Sequence, residues 1–246
     1  MRLRNCLSLL LLLALSFSAQ AQIGKTLGGL KDKADRVLKG GDVGAEETGS
    51  ALKEALNMGV GEAVTFLSAE DGYLGSAYRI PVPEEAQAVI DKVKMVPGFT
   101  DVEEKLVLKM NRAAELAAAK AKPIFVSAIT GMTFTDAVDI LMGNKDAATR
   151  YLDRTTNSQL FAEFQPVIQQ SLDEVNAREY WRSVITAYNK IPFVKKTDPE
   201  LDRYVTQRAL VGMFGLVEKK EAELRDNPAL RQTELLRKVF ARQDRR

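Results

Sequence analysis

Within one stretch of helical periodicity, Asn111, Arg112 and Glu115 place an amide, a guanidinium and a carboxylate on neighbouring turns. Side chains three and four residues apart meet on a helix surface, so this trio could bind a ligand or hold a loop. The alternative is a solvated helix face with its own charge pairs. Further along, Arg225 and Arg231 bracket Asn227-Pro228, a pair that reads as a helix start. Helix N-termini attract anions, which makes Arg225, Asn227 and Arg231 candidates for an anionic ligand. The competing account is a plain helix junction, with Arg225 complementing the preceding C-terminus and Arg231 in solvent. Glu115 and Asp136 are the carboxylates from which acid–base hydrolysis could be built. Such a pair is defined by its separation in space, so no catalytic residue is assigned.

Other chemistries are closed by composition. The chain has no histidine and one cysteine among 246 residues. Serine triads, a histidine base near neutral pH and imidazole-ligated zinc or iron are therefore excluded. No Walker-type loop, G-x-G-x-x-G turn or EF-hand loop occurs, so no cofactor or metal is implied.

The N-terminus gives an address. Arg2 and Arg4 precede an apolar run from Leu7 to Phe17, and Ser18-Ala19-Gln20-Ala21 supplies small residues at a cleavage site. The run is about half the roughly 20 residues that a spanning helix needs. Residues 1–21 read as a removable signal peptide, cleaved after Ala21, which predicts an exported protein of the periplasm or cell envelope. Cys6 leaves with it, so no disulfide is expected. Removing Arg2 and Arg4 from 35 basic residues leaves as many basic as acidic ones, 33. A formally neutral chain argues against nucleic acid as a partner, since counterion release requires excess Lys and Arg.

Residues 22–49 are glycine-rich and lack aromatics, and read as a flexible tether. Leu27, Leu30, Ala34 and Leu38 within them have amphipathic spacing, and the tail from Arg231 to Arg246 is basic. Contact of either with a membrane surface is conceivable but not favoured.

From residue 50 to 246 the period is overwhelmingly 3.6, predicting one irregular all-α domain of many helices. A short extended segment is expected near 72–83, where Pro81 and Pro83 forbid helix. The expected helices cover 51–67, 84–95, 102–121, 123–130, 133–143, a turn or two near 146–153, then 156–175, 178–190 and 199–224, with a last one after Asn227-Pro228. Capping boxes are read at Thr100/Glu103 and Thr156/Gln159, Thr133-Phe134-Thr135-Asp136 is read as a helix cap, and a break or kink is expected at Pro166. Leu201, Val205, Ala209, Gly212 and Leu216, broadened by Leu210, Met213, Phe214 and Val217, make 199–224 the central helix. Tyr180, Trp181 and Tyr188 read as core aromatics that could equally serve a binding surface.

Several short motifs recur together here in one order. They include Ala51-Leu52-Lys53-Glu54-Ala55-Leu56 with Gly59, Gly72-Tyr73 leading to Ile80-Pro81-Val82-Pro83, Met110-Asn111-Arg112-Ala113-Ala114-Glu115, Pro123-Ile124-Phe125 and Asn227-Pro228 with Arg231. In these the chain resembles the bacterial family known as domain of unknown function 4197. The resemblance implies an exported helical protein and carries no activity, cofactor or catalytic set. The overall expectation is an exported soluble helical module that binds an unidentified small molecule or an envelope protein. A carboxylate-dependent hydrolase of envelope material and a peripheral membrane protein are the alternatives.

Overall fold

A residue reaches the interior of this protein by standing at the right angle on a helix, and the apolar stripes decide the architecture. The computed structural model describes residues 45–241, apart from 85–86, 96–99, 175, 191, 194, 197 and 199. Residues 1–21, read as a signal peptide, almost all of 22–49, read as a tether, and 242–246 of the basic tail lie outside the described residues, as does the side chain of Tyr180.

Helix α1 (Ala45–Ser68) begins within the expected tether, six residues before the predicted start, and Thr48 is already buried. The hydrophobic face of Leu52, Leu56, Val60, Val64 and Leu67 holds it together despite Gly59 and Gly61. Then follow α2 (Gln87–Val93), α3 (Val102–Ala118), α4 (Ala121–Thr130), α5 (Phe134–Leu141), α6 (Ala147–Asp173), α7 (Ala177–Tyr188) and α8 (Leu201–Asp226). A 3₁₀ turn (Pro228–Leu230) leads to α9 (Glu234–Phe240). The result is an all-α domain, with no strand among the described residues.

The predicted stripe on α8 is buried throughout. It packs against α6 along one side, α1 along another, and α3 and α7. The Phe125 and Phe214 rings meet edge to face at 5.9 Å, joining α4 to α8. Met110, Ala113, Ala114, Ala117 and Ala118 give α3 a face of mostly small side chains, all buried. No single helix among the described residues is long and apolar enough to cross a membrane.

Three junctions differ from the sequence expectation. Thr100 and Glu103 form no capping box: Asp101 is the N-cap of α3 but its side chain pairs with Lys105 at 2.7 Å rather than capping the backbone, and Glu103 pairs with Lys94 at 2.7 Å. Thr156 starts no helix. It is buried inside the continuous α6, its hydroxyl donating to the Leu152 carbonyl at 2.6 Å. Pro166 breaks nothing, because it and Ala162, whose carbonyl loses its partner, both face solvent. At the start of α8, Asp198 accepts from the Glu200 amide, and the helix begins at Leu201.

The cap expected at Thr133–Asp136 forms, as a full capping box. The Asp136 amide donates to the Thr133 hydroxyl oxygen at 3.1 Å, and the Thr133 amide donates to Asp136 Oδ2 at 2.9 Å. Thr133→Ala is expected to lower stability by about 1 kcal/mol at neutral pH. The Thr133 hydroxyl and amide hold the Asp136 carboxyl below the usual carboxylate range. A depressed folded-state pKa contributes stability above the unfolded value and loses it as pH falls through the folded one. The gap between wild type and variant in urea titrations should therefore narrow in acid, and a gap independent of pH would contradict the assignment.

Candidate functional site

The residues read as a polar trio do converge, though not on a solvated face. Gly72 sits so tightly behind α1 that a Cβ there would lie 2.2 Å from the Phe66 carbonyl oxygen. Asp71 just before it has φ 64°. This reversal turns residues 71–78 into a run of turns rather than the extended segment expected over 72–83, and only 79–83 lies outside turns and helices. Asn111 pairs with Ile80 as a strand would: its Nδ2 donates to the Ile80 carbonyl at 2.9 Å and its Oδ1 accepts the Ile80 amide at 2.8 Å. Glu115 Oε1 accepts the amides of Tyr73 and Leu74 at 3.1 and 3.2 Å. Its Oε2 accepts from Arg112 at 2.6 Å, and Arg112 reaches on to Asp71 at 2.9 Å.

The segment is also fastened to α8. Tyr73 is buried, its hydroxyl donating to the Ala209 carbonyl at 2.8 Å, and Tyr204 donates to the Pro81 carbonyl at 2.9 Å. Burial, helped by the Glu115 charge, pushes the Tyr73 phenol far up, so it remains neutral. Between the two readings of the trio, this geometry is that of a loop holder.

The remaining candidates are placed elsewhere. Asp136 caps α5 and edges a shallow recess with Asp139, Arg150 and Arg154. Glu115 does not line that recess, so the two carboxylates form no pair there. Among the described residues no group of three or more acidic, His or Cys side chains could hold a metal ion. Arg225 is buried and donates to the carbonyls of Ile140 and Leu141 at 2.9 and 3.4 Å, closing the C-terminus of α5. Arg231, expected in solvent, is buried too. It donates to the Leu224 and Arg225 carbonyls at the end of α8 and lies over the Phe240 ring. Asn227 caps the 3₁₀ turn by accepting from the Ala229 amide. Both guanidinium groups thus serve helix C-termini, where cations are favoured, rather than an anion.

One residue that the sequence reading passed over organises this end of the molecule. Glu221 is buried, pairs with Arg225 at 2.7 Å, and accepts the amides of Ala148 and Thr149 at 2.9 and 2.8 Å. It supplies, from α8, the cap that Asp146 does not give α6. The signal was available: Val217, Glu221 and Arg225 continue a buried α8 face at four-residue spacing, so a carboxylate and a guanidinium stand where apolar residues would be expected.

Beside this pair lies a pocket of about 100 Å³ between α1 and α8, closed by α9 and the start of α6. Its walls include Leu52, Leu56, Val60, Val217 and Phe240, all buried. Its rim is polar: Lys220 Nζ lies 3.1 Å from Glu62 and 3.2 Å from Glu223. Partial burial opposes the Lys220 charge, but the two carboxylates outweigh it and raise its pKa. Glu62 and Lys220 also border a neighbouring apolar groove containing Thr65, Tyr78, Leu216 and Phe66, the last 49% exposed.

A family model described as protein of unknown function (DUF4197) matches residues 42–241. The chain belongs to this family. No curated protein and no solved structure matches it. The DUF4197 match runs from before α1 to the end of α9, so the loop holder, the Glu221–Arg225 pair and the pocket all fall within the family unit.

Proposed function

We propose that this protein is exported by residues 1–21 and acts in the periplasm or cell envelope as a binding module for a small, mainly apolar molecule. The observation that carries the reading is the α1–α8 pocket, whose apolar walls end in one compact charged cluster at the rim. Concave apolar sites with a few convergent polar groups are the usual form of small-molecule sites. The Glu62–Lys220–Glu223 cluster suits a ligand with one polar end, and it can part without loss of core packing because its members are partly exposed. Hydrolysis is the weaker reading, since Glu115 and Asp136 each hold backbone amides.

Gly59 offers the test. It lines the pocket, and a Cβ there would stand in ordinary contact with Lys220, at 3.7 Å. Gly59→Ala is expected to bind benzene, an uncharged probe small enough for a pocket of about 100 Å³, as wild type does. Gly59→Leu should weaken it about tenfold, the scale of one excluded apolar contact of about 1.4 kcal/mol. Equal affinity in both variants, at unchanged helical circular dichroism, would remove the pocket from consideration. Native mass spectrometry of protein purified from its own envelope then identifies the resident ligand by mass.

A further inference from the structure

The connection between α7 and α8 carries an aromatic residue that no described residue covers. Phe193 is fully exposed (107%), the largest exposure of any bulky apolar side chain among the described residues. Its backbone has φ 64°, a region that bulky residues rarely adopt. Pro192 beside it is also exposed, and the sequence Ile191-Pro192-Phe193-Val194 is uniformly apolar. Lys190 before this tip and Lys196 after it are exposed cations. The nearest acidic residues in sequence already have basic partners: Glu200 is held by Arg182 at 2.6 Å and Asp198 faces Arg203 at 3.9 Å.

We propose that this tip, Pro192 and Phe193 between Lys190 and Lys196, docks the protein on an anionic phospholipid surface. An aromatic ring is favoured at the boundary between headgroups and acyl chains, and lysines on either side attract the negative leaflet. A protein partner fits less well. A specific interface needs on the order of 1,000 Å² of complementary surface, and its anchor residues insert into pockets surrounded by further contacts. One exposed ring beside a proline provides neither, whereas a bilayer accepts an exposed ring without a matching shape. One ring and two charges give weak, reversible attachment, weaker than a single acyl chain. The proposal is independent of the pocket reading.

The full exported protein is floated with vesicles of phosphatidylglycerol and phosphatidylethanolamine, and with neutral phosphatidylcholine vesicles, at low and high salt. Binding is expected to the anionic vesicles at low salt and to fall steeply with salt. Phe193→Gly places at that φ the residue that adopts it freely, so the variant should fold at least as well as wild type yet partition about tenfold less. Exchanging Lys190 and Lys196 together for Gln should weaken binding roughly 25-fold, about fivefold for each charge. In Phe193→Trp, the added fluorescence should shift to the blue on vesicle addition. Failure to float at low salt, flotation that survives Phe193→Gly undiminished, or an added Trp that stays in water would each overturn the proposal. The last two outcomes would assign membrane contact to the 23–39 segment or the basic tail instead.

Discussion

Glu221→Ala is expected to destabilise the protein by about 3–5 kcal/mol, the cost of removing one partner from a buried ion pair. The loss has two parts. Arg225, buried with the pair, keeps its bonds to the α5 carbonyls but carries an uncompensated charge. The amides of Ala148 and Thr149 lose their acceptor at a helix start where Asp146 makes no side-chain cap. Each helix end is matched in sign: the carboxylate faces the positive N-terminus of α6, and the guanidinium faces the negative C-terminus of α5. For a domain of this size the melting temperature should fall by about 10 °C, at some 2–4 °C per kcal/mol. Glu221→Gln retains one acceptor oxygen and the shape, and should lose roughly half as much. Thermal and urea unfolding measure both. An alanine variant within about 1 kcal/mol of wild type would show that the trans cap is dispensable.

Periodicity identified the helices that bury a continuous stripe, α1, α3 and above all α8, because one face of each meets other helices along its whole length. It failed at the junctions. A Ser or Thr followed three residues later by a carboxylate or amide side chain is only an opportunity: Thr133 took it with Asp136, whereas Thr156 bonded back to Leu152 and Glu103 found Lys94. Which option wins depends on neighbours brought by tertiary packing. The start of α1 lies before the predicted one because Ala45 to Gly49 carry no apolar stripe to announce a helix, and become helical with Thr48 buried.

The candidate site was legible as a set of unusual residues and illegible as a set of roles. A helical wheel gives the angle of Asn111 and Glu115 correctly, off the main apolar face, but not that an irregular segment covers that angle. Asp202 on α8, which the sequence reading did not single out, is buried and accepts from the Gln165 and Gln169 side chains at 2.9 Å each, with Arg178 at 3.5 Å. Burial alone would raise its pKa, but the two amides and the Arg178 charge bring it below the usual range. In this fold, conspicuous polar residues mark places where irregular backbone or helix ends must be satisfied internally, because a buried amide or carbonyl without a partner is costly. The pocket drew no attention in the sequence, because its walls are the same Leu and Val residues that make ordinary core.

Glu115→Ala separates a structural carboxylate from a catalytic one. The variant leaves the amides of Tyr73 and Leu74 without an acceptor, at about 1–3 kcal/mol for each buried donor, so a total near 3 kcal/mol is expected. Arg112 is less affected, since it is partly exposed and keeps Asp71. The damage should be local first. Tyr73 fits against Gly212, where a Cβ would come within 2.9 Å of its ring, so any outward movement of residues 71–80 opens the core over α8. Amide exchange in 71–80 should therefore accelerate more than in α6, and the melting temperature should fall by about 6 °C or more. Glu115→Gln keeps an oxygen for the two amides but sets an NH₂ against Arg112, and should lie between. A catalytic Glu115 predicts the reverse pattern: a Gln variant of wild-type stability with its chemistry lost. Wild-type melting and unchanged exchange in Glu115→Ala would refute the loop-holder assignment and reopen the carboxylate for chemistry.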